Sequence, residues 1–121
     1  MKATKQDLKK LERLLKRSDF LLVAAKGKKW VSKSMIVIAN PNDLGTRRVG
    51  ITVTKKLEKT AVGRNRMKRR LRAAAADVLT QDAKAGMDYV LIARHDTATR
   101  PYNELQKDLR WCLGKLGYAA E

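Results

Sequence analysis

Nine basic residues stand between Lys55 and Arg72 against a single acid, Glu58, and they are densest in the run Arg64-Asn65-Arg66-Met67-Lys68-Arg69-Arg70-Leu71-Arg72. No acid occurs from residue 59 to residue 76. Cations at this density repel one another unless a polyanion neutralises them, so the chemistry they suit is phosphate binding. Met67 and Leu71 lie four apart inside the run, a helical interval with its apolar side turned inward. That places Lys68 and Arg72 on an outer face, with Arg69 and Arg70 flanking them. Arg64, Asn65 and Arg66 are expected in the first turn, where free backbone N–H groups and the positive dipole end also favour an anion. Lys55 and Lys56 close the preceding strand and extend the same basic region. Thr52 and Thr54 offer hydroxyl donors to phosphate or sugar, or are ordinary β-branched filler. Phe20 and Trp30 are the rings in the basic half that can stack an unpaired base or pack in a core.

The remaining side chains give no catalytic constellation. His95 is the only histidine and Cys112 the only cysteine, which excludes an internal disulfide and a cysteine-based zinc site. There is no phosphate-binding glycine loop, no nucleophile elbow and no persuasive pair of carboxylates. Protein-borne chemistry is not indicated.

The elements that must position the basic run follow from apolar spacing. Leucines 8, 11, 14 and 15 fall at helical intervals over 4–17, with Thr4 as N-cap. Ser18 or Asp19 caps a further stretch through Phe20, Leu21, Val23 and Ala24 to Gly27, so 4–25 is one bent helix or two pieces. Trp30 to Ala39 reads as a strand, Asn40 to Gly45 as a turn, and Arg48 to Thr54 as a second strand. The second strand sets Val49, Ile51 and Val53 on one face and Gly50, Thr52 and Thr54 on the other. These two strands are expected to pair as an antiparallel hairpin. The basic helix buries Met67, Leu71, Ala74, Ala75 and Val78. After Gly86, a strand over Met87–Arg94 follows. Pro101 opens a last helix with Leu105, Leu109, Cys112, Leu113 and Leu116 on its core face and Gly117 as its stop. The order is α-β-β-α-β-α, an α+β sandwich.

With 121 residues, 44% apolar and spread along the chain, one domain with a real core is expected over 1–121. The net charge of +16 calls for an anionic partner. Residues 1–29 hold ten Lys/Arg against three acids, whereas five bases balance five acids from Met87 onward. The binding surface therefore belongs to the N-terminal segment and the middle helix. No apolar run reaches membrane-spanning length and the N-terminus lacks a signal-peptide core, so a soluble cytoplasmic protein is expected.

At these residues the chain resembles the protein component of bacterial ribonuclease P. Arg64-Asn65-Arg66-Met67-Lys68-Arg69 matches that family's RNR helix, preceded by Val49-Gly50-Ile51-Thr52-Val53-Thr54-Lys55-Lys56. Asp19-Phe20…Val23 with Gly27 is similar to its first-helix motif, and Gly86 to Arg94 to its last strand; residues 1–13 are less distinctive. The resemblance implies a small mixed sheet with an extra strand and a left-handed βαβ crossover, like ribosomal protein S5 domain 2. It implies the protein subunit of an endoribonuclease whose catalysis, with Mg2+ held mainly by the RNA subunit, removes the 5′ leader of precursor tRNA. The implied partners are ribonuclease P RNA and precursor tRNA, with no membrane and no protein oligomer required. Carried over by position, Lys55, Lys56, Arg64, Asn65, Arg66, Lys68, Arg69 and Arg70 contact RNA, and Phe20, Trp30 and Thr52 line the leader cleft. Ala24 stands where the family often has a second aromatic, so either the cleft is less aromatic or Trp30 substitutes. The 57–63 turn is one residue longer than usual, which affects where the helix starts. The alternative reading is a structural RNA-binding protein such as a ribosomal protein.

Overall fold

The computed structural model describes residues 11–119. A five-stranded mixed sheet is built from β1 (Leu11–Arg13), β2 (Lys28–Val31), β3 (Met35–Pro41), β4 (Arg47–Thr52) and β5 (Met87–Ala93), in the order β1-β4-β5-β3-β2. β1 and β5 both run parallel to β4, and the β5–β3 and β3–β2 pairs are antiparallel. Three helices accompany it: α1 (Arg17–Lys26), α2 (Ala61–Asp82) and α3 (Tyr102–Leu116). A short 3-10 turn, His95–Ala98, links β5 to α3.

The apolar stripes of α2 and α3 account for the larger core. Met67, Leu71, Ala74, Ala75, Val78 and Leu79 of α2 and Leu105, Leu109, Cys112, Leu113 and Leu116 of α3 are all buried. They close on the alternate residues Met35, Val37, Val49, Tyr89 and Leu91 of the sheet. This is the expected sandwich. The opposite face carries Ile38 and Val90, on which α1 lays Val23 together with Leu14. One ten-residue helix covers that face only in part, and the uncovered part becomes the cleft described below.

Several sequence expectations are corrected. The strands at Trp30–Ala39 and Arg48–Thr54 do not form a hairpin, because β5 lies between β3 and β4 and pairs with both. β5 is apolar on both faces and nearly continuously buried, the signature of a central strand. The segment from Trp30 is two strands, not one. Ser32 folds it back by donating its hydroxyl to Met35 O (2.7 Å) while Met35 N donates to Ser32 Oγ (3.2 Å). The helix foreseen over 4–17 is contradicted at its C-terminal end, since Leu11–Arg13 pairs with Arg47–Val49. Leu11 packs toward α2, Leu14 is buried toward α1, and Leu15 is 81% exposed, so these leucines share no face. Thr4 and Leu8 lie outside the described residues. Neither Ser18 nor Asp19 is an N-cap: α1 starts at Arg17, after Lys16. The stop at Gly27 holds, with Gly27 N donating to Val23 O at 2.7 Å. So does the stop at Gly117, where φ is +83° and Tyr118 N donates to Leu113 O at 3.0 Å.

Candidate nucleic-acid interface

The basic helix begins earlier than its cations suggested. Thr60 is the N-cap, and its hydroxyl accepts from Gly63 N at 3.0 Å. Glu58 accepts from both Thr60 N (3.0 Å) and Thr60 Oγ1 (2.9 Å), and these bonds hold its carboxyl below the ordinary carboxylate range. A side chain at 63 would overlap Glu58, so the longer 57–63 turn closes around a glycine. Helix α2 therefore starts at Ala61, and Arg64 enters only as the first turn closes. The dipole argument applies to Ala61–Gly63 and not to Arg64, Asn65 and Arg66.

The cations of α2 divide by role. Arg64 turns back and donates from Nη1 to Glu58 O (3.0 Å) and Lys59 O (2.9 Å), which fixes the turn. Arg70 points the other way: Nε donates to Thr97 O at 3.0 Å and Nη2 to Arg100 O. Its guanidinium ties α2 to the 3-10 turn, so it does not join the outward cluster expected of it. Arg66 is exposed and has no protein partner among the described residues. Asn65, Lys68, Arg69 and Arg72 line a broad groove of about 600 Å³ with Val62.

Lys68 also lines a second hollow, about 480 Å³, with Leu15, Arg17, Phe20, Leu21, Ile51, Thr52 and Val53. Arg72 reaches a third, about 310 Å³, that includes Leu14, Phe20, Gly50 and Ile51. These two side chains join the basic face of α2 to an apolar cleft between α1 and β4. Phe20 and Thr52 meet there as expected. Gly50 is the seat of the Phe20 ring, because a Cβ at 50 would overlap its Cε1 and Cζ. Arg17 and Leu15 also line the cleft. Nothing in the local sequence singled them out, since Leu15 had been counted into a helical stripe.

Trp30 is misplaced by the sequence reading. It pairs with Val37, whose side chain belongs to the helix-covered face, while Phe20 belongs to the other face. Its ring meets Trp111 edge-on at 5.9 Å and 72°. Trp30 therefore cannot replace the aromatic missing at Ala24, and Ala24 itself is exposed. Lys55 is exposed. Lys56 lines a separate open hollow of about 420 Å³ with Thr54, Leu57, Ala93, Arg94 and His95.

The cleft is held to shape by a polar clamp. Arg48 on β4 donates to both oxygens of Asp88 on β5, Nε to Oδ1 at 2.7 Å and Nη2 to Oδ2 at 2.6 Å. Its other nitrogen lies 3.6 Å from Asp19 in the first turn of α1. Asn42 Nδ2 donates to Asp88 Oδ1 at 2.8 Å. The hydrogen bond to Asp88 raises the Arg48 pKa above its usual value. Asp19 thus pins α1 to the sheet one residue before Phe20.

Among the described residues no group of three or more His, Cys, Asp or Glu side chains could hold a metal ion. The cleft walls are cations, apolar groups, a threonine hydroxyl and one carboxylate, Glu12. No helix among the described residues is long and apolar enough to cross a membrane.

A family model described as Ribonuclease P matches residues 8–117. The ribonuclease P protein component of Paramagnetospirillum magneticum is 47% identical over 113 residues, covering 89% of this chain and 84% of that protein. That of Ruegeria pomeroyi is 50% identical over 107 residues, covering 85% and 84%. Among solved structures, the RNase P protein of Staphylococcus aureus superposes with a TM-score of 0.72 at 28% identity, covering 88% of this chain and 95% of that one. The RNase P protein from Thermotoga maritima gives 0.71 at 28%, covering 87% and 94%.

Proposed function

Because the chain belongs to the ribonuclease P protein family, we propose that it is the cytoplasmic protein subunit of an endoribonuclease that removes the 5′ leader of precursor tRNA. The relatives it matches are named as ribonuclease P protein components, which leaves the ribosomal-protein alternative without support. The exposed cations of α2 grip the catalytic RNA, and the cleft between α1 and β4 takes the single-stranded leader. The observation that carries this reading is the continuity of the two surfaces through Lys68 and Arg72. A strand leaving the basic groove passes directly onto Phe20, where a base can stack while its phosphates stay beside Lys68 and Arg17. The protein cuts nothing itself. Its cations screen the repulsion between two RNAs, and any Mg2+ belongs mainly to the RNA subunit.

Reconstitution with the cognate RNA at low Mg2+ tests the reading. Added protein is expected to restore precursor-tRNA cleavage, and unchanged cleavage would end the proposal. In the same assay, Phe20→Ala is expected to weaken binding of long-leader precursors about tenfold and to leave leaderless tRNA nearly unaffected. Equal effects on both would return Phe20 to a packing role.

The division of labour along α2 gives a further expectation. Arg66→Ala should weaken affinity for the RNA subunit by about 1–3 kcal/mol and lower the salt slope by roughly one, with no change in melting temperature. Arg64→Ala should weaken binding and also destabilise the fold, since its guanidinium holds two backbone carbonyls. Calorimetry beside salt-dependent titration separates the two; identical melting of both variants would contradict the assignment.

A further inference from the structure

The two tryptophans of the chain, Trp30 and Trp111, sit together at a place the leader cleft does not use. Trp30 is 37% and Trp111 48% exposed, while the apolar stripe of α3, from Leu105 to Leu116, is buried. Trp111 lies off that stripe, and Trp30 lies on β2, the edge strand, all four of whose residues are exposed. Core packing therefore does not account for either ring. Cations frame the pair. Lys115 Nζ stands 6.0 Å from the Trp111 ring centre, and Lys28 Nζ stands 5.7 Å from that of Tyr118 further along the same seam. Lys33 is exposed nearby on the turn that follows β2. The nearby acids are engaged: Asp108 by Arg100 and Ser34, and Asp82 by Arg110. The seam therefore presents half-exposed indoles within a cationic rim.

We propose that the Trp30–Trp111 seam is a second RNA-contact surface, a stacking platform for a short single-stranded segment. Exposed aromatic faces stack any base, and flanking ammonium groups meet the phosphates on either side. The positive rim favours a polyanion over a second copy of this chain, whose net charge of +16 would repel it. The seam lies at the β2 edge, four strand spacings from β1, or about 19 Å across the sheet. An RNA already held by α2 and the cleft can therefore be gripped again by the far edge. The choice of RNA over other polyanions rests on the family membership, but the seam is independent of the leader cleft.

Because both tryptophans are in the seam, their fluorescence reports on it alone. Titration of the full-length protein with a uridine decamer should give saturable quenching of tryptophan emission. The midpoint should move about tenfold weaker in Trp111→Ala, read on Trp30, and in the charge-reversed Lys28→Glu/Lys115→Glu variant, which keeps both rings. Quenching should persist in Arg66→Ala. The proposal is overturned if the decamer binds by anisotropy without changing the emission, or if a glutamate decapeptide quenches as strongly. It is also overturned if emission depends on protein concentration alone, the mark of self-association. Any of these outcomes alongside normal precursor-tRNA cleavage would remove the seam and leave the proposed function standing.

Discussion

Asp88→Ala is expected to lower stability by about 3 kcal/mol, the largest single loss anticipated for this fold. Asp88 is 3% exposed and is the common acceptor for Arg48 and Asn42. Removing it leaves a guanidinium of low exposure with only the longer contact to Asp19, and strips Asn42 of a partner. The cost is therefore that of an uncompensated charge, not of a lost surface pair. A melting temperature lower by roughly 10 °C should follow for a chain of this size. Asp88→Asn keeps the shape and one acceptor oxygen, and should fall between. Hydrogen exchange gives the second readout. With its Arg48 anchor loosened, α1 should exchange faster than α2 and α3, which pack on the other face. Melting within a degree of the unaltered protein would show that the clamp contributes nothing.

The clamp also shows what the sequence could not supply. Met67, Leu71, Ala74, Ala75 and Val78, or Leu105 through Leu116, announce their helices because a helix is a local object, and its buried stripe repeats within one turn. Arg48, Asp88 and Asp19 are separated by up to 69 positions, and their meeting depends on β5 lying beside β4. Strand order is set by which strands can be buried on both faces: residues 89–93 carry such an apolar run and residues 35–39 another, and the two pair side by side with β4 beyond β5. The expected hairpin of residues 30–39 with 48–54 failed for that reason. Short elements failed for another. β1 has three residues, too few to show a period, and its Leu11 fell at helical spacing from Leu14 and Leu15 by chance. The basic run revealed its charge but not its partition. Arg70 and Arg64 look like their neighbours in sequence, and only the carbonyls of Thr97, Arg100, Glu58 and Lys59 tell them apart. Trp30 shows the limit on ring placement, since one residue of register decides which face of a sheet it occupies.

The cleft offers the sharpest test of how a residue without a side chain can carry function. Gly50→Val should abolish most of the leader's contribution to binding, about a tenfold loss confined to substrates with a leader. The new Cβ would occupy the seat of the Phe20 ring, while Leu14 Cβ at 3.3 Å bounds the other side. The ring's far end is the part that can yield, so it should swing out of the cleft while β4 keeps its pairing and valine suits the strand. The fold should survive with a modest loss of stability, and the change should appear in leader affinity. A double variant decides whether the effect passes through Phe20. If it does, Gly50→Val/Phe20→Ala should bind the leader no more weakly than Phe20→Ala alone, because the seat matters only while a ring sits in it. Additive losses would mean that the β4 surface meets the leader itself, and Gly50 would then owe its place to the backbone and not to the ring above it.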